Sequence, residues 1–260
     1  MSRAIESDTA MPARRTLLLG AATLCIAAPA SGQAPRYAAL SLVGNPIEIV
    51  TGRAEIGSRL NQNRRRAFDD AEGTLDRYVL RAVERGVQTH QRGASVAMLA
   101  LPGSVLYDEP ERAFDGRQVV LPGAVVDALV ASKVSHLLLL TKLRDAARIP
   151  LYDETTGVGT VKGIGFYTDP DVRLKVRESG QAAYGVLAPF VYVRISLVDV
   201  QSGEVVREER VHDMRTFTAA EKPDASNPWD VLSAEQKIDV LRRLIDQSIG
   251  DAVLRLLRAG

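Results

Sequence analysis

The run Ser135-His136-Leu137-Leu138-Leu139-Leu140-Thr141-Lys142-Leu143 limits the fold more than any other stretch of this 260-residue chain. Its apolar residues fill successive positions, so a strand here carries apolar side chains on both faces. Both faces then need cover, which calls for helices above and below a sheet. Ala94-Ser-Val-Ala-Met-Leu-Ala-Leu101, closed by Pro102-Gly103, reads the same way, as a strand buried on both faces. Between the two, Gly123–Lys133 predicts a short helix with Val125, Val126, Leu129 and Val130 apolar. A helix feeding an apolar strand in this order favours an α/β (α+β) fold, a mixed sheet packed by two or three helices.

The flanking segments fit that frame. Tyr37–Val43 and Ile47–Val50 read as two strands, or one bent strand, around Gly44-Asn45-Pro46. From Asn63 to Val87 the spacing turns helical, with Phe68, Ala71, Leu75, Tyr78 or Val79, Ala82 and Gly86 on one face. Phe190–Val200 and Val205–Val211 form an antiparallel hairpin across Asp199-Val-Gln-Ser-Gly203-Glu204. Ser233-Ala-Glu-Gln236 is a capping box. It opens a C-terminal amphipathic helix to about Arg258, with Ile238, Leu241, Ile245, Ile249, Ala252, Val253 and Leu256 on its apolar face. Residues 107–118 read as a polar loop. Residues 144–188, rich in glycine, read as a long loop or hairpin inserted into a single domain spanning 35–260.

The N-terminus carries an export pattern. Arg14-Arg15 precedes the apolar stretch Thr16–Ala28 and the small-residue region Pro29–Ala34, as in a secretory signal peptide over residues 1–30 with cleavage somewhere in 30–34. Ala28-Pro29-Ala30 matches A-x-A. A membrane span needs about 20 apolar residues, and this run is shorter, so no transmembrane helix is expected in the mature chain. Arg14-Arg15-Thr16-Leu17-Leu18 also resembles a twin-arginine motif; the Leu-rich core favours the general secretory route, and starting at Met11 rather than Met1 would favour it further. Ala22-Thr23-Leu24 before Cys25 departs from a lipobox, which argues against lipidation.

Removing this segment changes what chemistry is open. Cys25 is the single cysteine, so the mature chain has none, which excludes disulfides, a thiol nucleophile and Cys-ligated metals. Residues 1–30 hold Arg3, Arg14 and Arg15 against Glu6 and Asp8, so 33 basic and 32 acidic residues become 30 and 30. That balance gives no bulk attraction for nucleic acid or anionic membrane. His90, His136 and His212 lack metal-ligand spacing, no Gly-x-Ser-x-Gly elbow exists, and no cofactor is implied. Gly157-Val-Gly159-Thr-Val-Lys162-Gly163-Ile-Gly165 runs into β-branched and aromatic residues instead of a helix start, so it reads as a flexible hairpin or lid and not a phosphate loop. Arg64-Arg65-Arg66 is expected to pair with Asp69, Asp70 and Glu72 one helical turn on.

Val134–Leu140, the hairpin Leu197–Val206 and the closing helix together resemble the small envelope domain at the N-terminus of TolB and in curli-secretion (CsgG-like) lipoproteins. The resemblance covers residues 119–143 and 189–257 and implies that fold and a cell-envelope location. It carries over no catalytic residue, and neither a lipobox nor a propeller repeat accompanies it. The expected function is a non-enzymatic binding or assembly module of the envelope, engaging an envelope protein or a second copy through an exposed surface of Tyr152, Lys162, Phe166 and Tyr167. The other reading is a periplasmic small-ligand binder or hydrolase with its site beside residues 144–188.

Overall fold

The computed structural model describes residues 36–52, 63–70, 72–101, 104–151, 155–175, 182–218 and 227–258. The expected leader, its cleavage region and Tyr152 lie outside them. The first strands are β1 (Arg36–Leu42), β2 (Ile47–Thr51) and β3 (Arg64–Phe68), followed by α1 (Thr74–His90) and β4 (Ser95–Leu99). Short pairs β5 (Phe114–Asp115) and β6 (Gln118–Val119) precede α2 (Gly123–Ala131) and β7 (His136–Lys142). Then come β8 (Arg144–Ala146), β9 (Ile149–Pro150), β10 (Thr155–Thr156), β11 (Thr160–Lys175) and β12 (Ala182–Asp199). The chain closes with β13 (Val205–Met214), β14 (Phe217–Thr218) and α3 (Ala234–Arg258).

The main sheet runs β3-β2-β11-β12-β7-β1-β4, with β13 and β14 also on β12 and β8 on β11. It is mixed: β4, β1 and β7 are parallel, whereas β12 is antiparallel to β7, β11 and β13. From β1 the chain reaches β4 by way of β2, β3 and α1, then returns past α2 to β7 on the other side of β1. Direction and sheet face both reverse, so the two crossovers keep one hand.

The apolar run of β7 sits between two layers of helix, as its composition requires. Leu138 and Leu140 pack on the α1/α3 side, Leu137 and Leu139 on the α2 side, each at most 1% exposed. α1 and α3 meet at Gly86, where an added Cβ would lie 3.0 Å from the Val253 side chain; a larger residue would push the helices apart. Ser233 caps α3 as expected: Gln236 N–H donates to its Oγ at 3.2 Å, and Ser233 N–H donates to Gln236 Oε1 at 2.8 Å. Ile238, placed on the apolar face by its spacing, is 60% exposed, whereas its neighbour Lys237 is buried over the Trp229 ring.

Three segments depart from their expected form. Residues 64–68 form a strand on the outer side of β2, so α1 begins only at Thr74. Arg65 therefore pairs with Glu48 across the strands at 2.6 Å, and Asp70 instead accepts from Leu75 N–H at 2.7 Å. Residues 144–188 are not a loop inserted into the fold: they include β8, β9, β10, β11 and the first part of β12, and the β11–β12 hairpin is central to the sheet. Glycine makes this pairing feasible. Gly165 lies so close to β2 that a Cβ would sit 1.9 Å from Glu48 O. The third departure is Ser95–Leu99, expected as a strand buried on both faces, which lies at the edge of the sheet with β1 as its one partner among the described residues.

Candidate functional site

The residues expected to form a contact surface do not share one. Phe166 and Tyr167 are neighbours on β11 and so point to opposite faces. Phe166 is buried in the α1/α3 core and meets Trp229 edge-on at 5.5 Å. Tyr167, fully buried, packs under β8 and β9; its hydroxyl donates to Val158 O at 3.2 Å, and burial pushes its phenol up to about 12. Both are therefore core residues, and the exposed aromatic surface is corrected to a packed one. An exposed loop would have freed them; pairing of β11 with β2 and β12 removes them from water. Lys162 is half-buried, and its ammonium donates to Asp108 O at 2.6 Å.

The polar groups at the C-terminal ends of the parallel strands hold structure. Asp76, in the first turn of α1, accepts from Ser41 Oγ at 2.5 Å, from Gly44 N–H at 3.0 Å and from Tyr107 Oη at 2.8 Å. These bonds fix the end of β1 to α1 and to the turn at Tyr107, whose phenol is pushed well up by burial and by the Asp76 charge. Among the described residues no group of three His, Asp or Glu side chains could hold a metal ion. His212 Nε2 meets Asp145 Oδ2 at 2.9 Å and His136 Nδ1 lies 3.0 Å from Ser135 Oγ, on separate strands. Among the described residues no helix is long and apolar enough to cross a membrane.

The surfaces that stand out are two edges of the sheet, β3 and β4; β13, a third edge beside β12, carries charges along its length. At one end β3 pairs with β2, and its five residues are all exposed, with guanidinium groups from Arg64, Arg65 and Arg66 alternating between its faces. Beside it a groove of about 370 Å³ is lined by Arg64, Arg66, Phe68, Ile49 and Trp229. The far side of the Trp229 ring already holds the Lys237 ammonium, 4.4 Å from its centre. At the other end β4 pairs with β1 in parallel register, Ala38 opposite Ala97. It is Ser95-Val96-Ala97-Met98-Leu99, without charge, proline or glycine, and Met98 is 44% exposed. Native edges are normally blunted by charge, proline or a bulge, and β4 has none of these within its length. The sequence signal was present in 94–101, but it was read as burial within the fold. Only the strand order shows that one edge is left open.

No protein family matches the sequence, and no curated protein does. Among solved structures, the PelC dodecamer from Paraburkholderia phytofirmans is 12% identical, over 86% of this chain and 87% of that one, with a TM-score of 0.32. A neuraminyllactose-binding hemagglutinin homolog from Helicobacter pylori is 8% identical over 87% of each chain, with a TM-score of 0.37. The hypothetical protein CT253 from Chlamydia trachomatis is 9% identical over 85% of this chain and 99% of that one, with a TM-score of 0.28. With TM-scores this low, these similarities assign the chain neither a family nor an activity.

Proposed function

We propose that the chain is a non-enzymatic assembly module of the bacterial cell envelope that self-associates through the edge strand β4. One observation carries the reading: a strand with the composition of a doubly buried strand lies at the edge of the sheet, uncharged and with Met98 44% exposed. The occupant is β4 of a second copy, running antiparallel about a two-fold axis through Ala97. That pairing sets Val96 against Met98 and Ser95 against Leu99, placing apolar side chains opposite one another without a charge to desolvate. The same symmetric pairing at β3 would set Arg66 against Arg66 at its central position. The export pattern over residues 1–34 and the resemblance to the TolB and curli-secretion domains support the envelope as the compartment.

The test has two parts. Fractionation of cells expressing the full chain should recover it from the envelope or periplasm, shortened by processing between residues 30 and 34; recovery of unprocessed chain from the cytoplasm rejects the compartment. Light scattering coupled to gel filtration should give a dimer that the Met98→Lys variant converts to monomer. A wild type that stays monomeric at high concentration rejects the assembly.

A further inference from the structure

A second, independent feature lies at the seam of the sheet, where β7 ends and β11 takes its place beside β12. A cleft of about 270 Å³ opens there, and four strands each send one cation to its wall: Lys142 from β7, Arg144 from β8, Lys162 from β11 and Arg194 from β12. Glu111 is the one acid among its lining residues. We propose that this cleft binds a small soluble oxyanion, the carboxylate or phosphate group of a low-molecular-weight ligand.

The partners of the four cations carry the argument. Lys142 donates to Asn45 O at 2.6 Å and Lys162 to Asp108 O at 2.6 Å, both uncharged carbonyls. Arg144 Nε reaches the Thr160 hydroxyl at 3.2 Å. Arg194 Nε is buried without a hydrogen-bond acceptor: Glu208 Oε2 stands 3.6 Å away, while the other carboxylate oxygen of Glu208 accepts from Arg210 at 2.9 Å. Among the described residues Lys142, Arg144 and Lys162 have no carboxylate at ion-pair distance, and Arg194 shares its one, Glu208, with Arg210; fixed cations in a concave site draw in an anion. Lys142 is only 8% exposed, and burial lowers its ammonium to about 8. An oxyanion would supply the missing acceptor to Arg194 and return charge to the buried lysine. The flat guanidinium groups suit a planar carboxylate or a phosphate face.

Calorimetric titration of the full chain with sulfate, and separately with succinate, tests the site. Sulfate keeps its charge from pH 6 to 10, so its titration reports on the protein. Lys162→Met and Arg194→Gln should each weaken binding by roughly tenfold, the loss of one charge-assisted bond. Arg66→Gln, at the β3 edge and on the separate groove beside Trp229, should leave it unchanged. Sulfate should also bind less tightly at pH 9 than at pH 7, because Lys142 loses its proton through about 8. The other charges facing that lysine are Asp108, Glu48, Asp76 and Lys162, with Glu111, Arg144 and Arg194 on the cleft wall. Tighter binding of succinate than sulfate assigns carboxylate ligands; the reverse assigns phosphate-like ones. No binding of either anion, or binding that survives both cleft variants in folded protein, overturns the proposal.

Discussion

Two edge strands of the sheet, β3 and β4, solve the same problem in opposite ways. β3 and β4 are both five-residue strands with one neighbour each among the described residues. β3 protects its backbone with three consecutive arginines, so a second strand approaching it meets charge on both faces. β4 carries no charge in its five residues, and its neighbour β1 is buried along nearly its whole length. The contrast teaches that an edge is read from its side chains as much as from its position: one end of this sheet is built to end, and the other is built to continue.

The largest predicted effect tests the β3 end through its support. Gly165→Ala drives a Cβ into Glu48 O and should separate β2 from β11, costing about 3 kcal/mol in urea unfolding. The folded fraction should still self-associate, because β4 lies on the far side of β7 and β1. Asp76→Ala leaves the Ser41 and Tyr107 hydroxyls without their carboxylate and should cost about 2 kcal/mol by the same measurement. A loss under about 0.5 kcal/mol would show that water replaces these bonds freely. Met98→Lys should weaken self-association at least tenfold, about 1.4 kcal/mol, while shifting monomer stability by no more than about 0.5 kcal/mol. Smaller again is Arg65→Ala, which removes a partly exposed ion pair with Glu48 and should cost under about 1 kcal/mol, with no change in oligomeric state. If Arg65→Ala alters the oligomer and Met98→Lys does not, the assignment of the two edges is reversed.

A pH series sharpens the comparison by isolating the seam between the ends. The folded-state value for Lys142 is about 8 against an ordinary 10.5, so between those values the unfolded chain holds the extra proton. Stability from this group therefore rises with pH from about 8, and its burial penalty is present in full below that. Tyr37, Tyr107, Tyr167 and Tyr192 act in the other direction. Burial raises their phenols, so their contribution is lost as pH climbs past 10. Urea midpoints should increase between pH 7.5 and 9.5 in wild type and lose that increment in Lys142→Met.

Much of the architecture was legible because its signals are local. The β7 run, the hairpin across Asp199–Glu204 and the capping box at Ser233 each depend on residues close in the chain, and each forms as its pattern implies. Phe68 misled because it falls at helical spacing from Ala71 and Leu75, although Arg64–Phe68 pairs as a strand with Ile47–Thr51. The glycines of 157–165 suggested a mobile loop. Gly163 and Gly165 instead lie within β11, and Gly165 lets that strand approach the backbone of β2. The cationic cleft left no sequence signal: Lys142, Arg144, Lys162 and Arg194 are spread over four strands and converge only in the folded sheet.

The sequence by itself determined the layered α/β class, since uninterrupted apolar strands and amphipathic helices have few other ways to leave water. It also placed the single cysteine, Cys25, within the expected export segment. Strand order was decided only in three dimensions, because pairing depends on contacts between residues far apart in the chain, such as Glu48 with Gly165 and Ala38 with Ala97. That order took Phe166 and Tyr167 into the core, gathered four cations at one seam and left a strand fit for burial at the open edge.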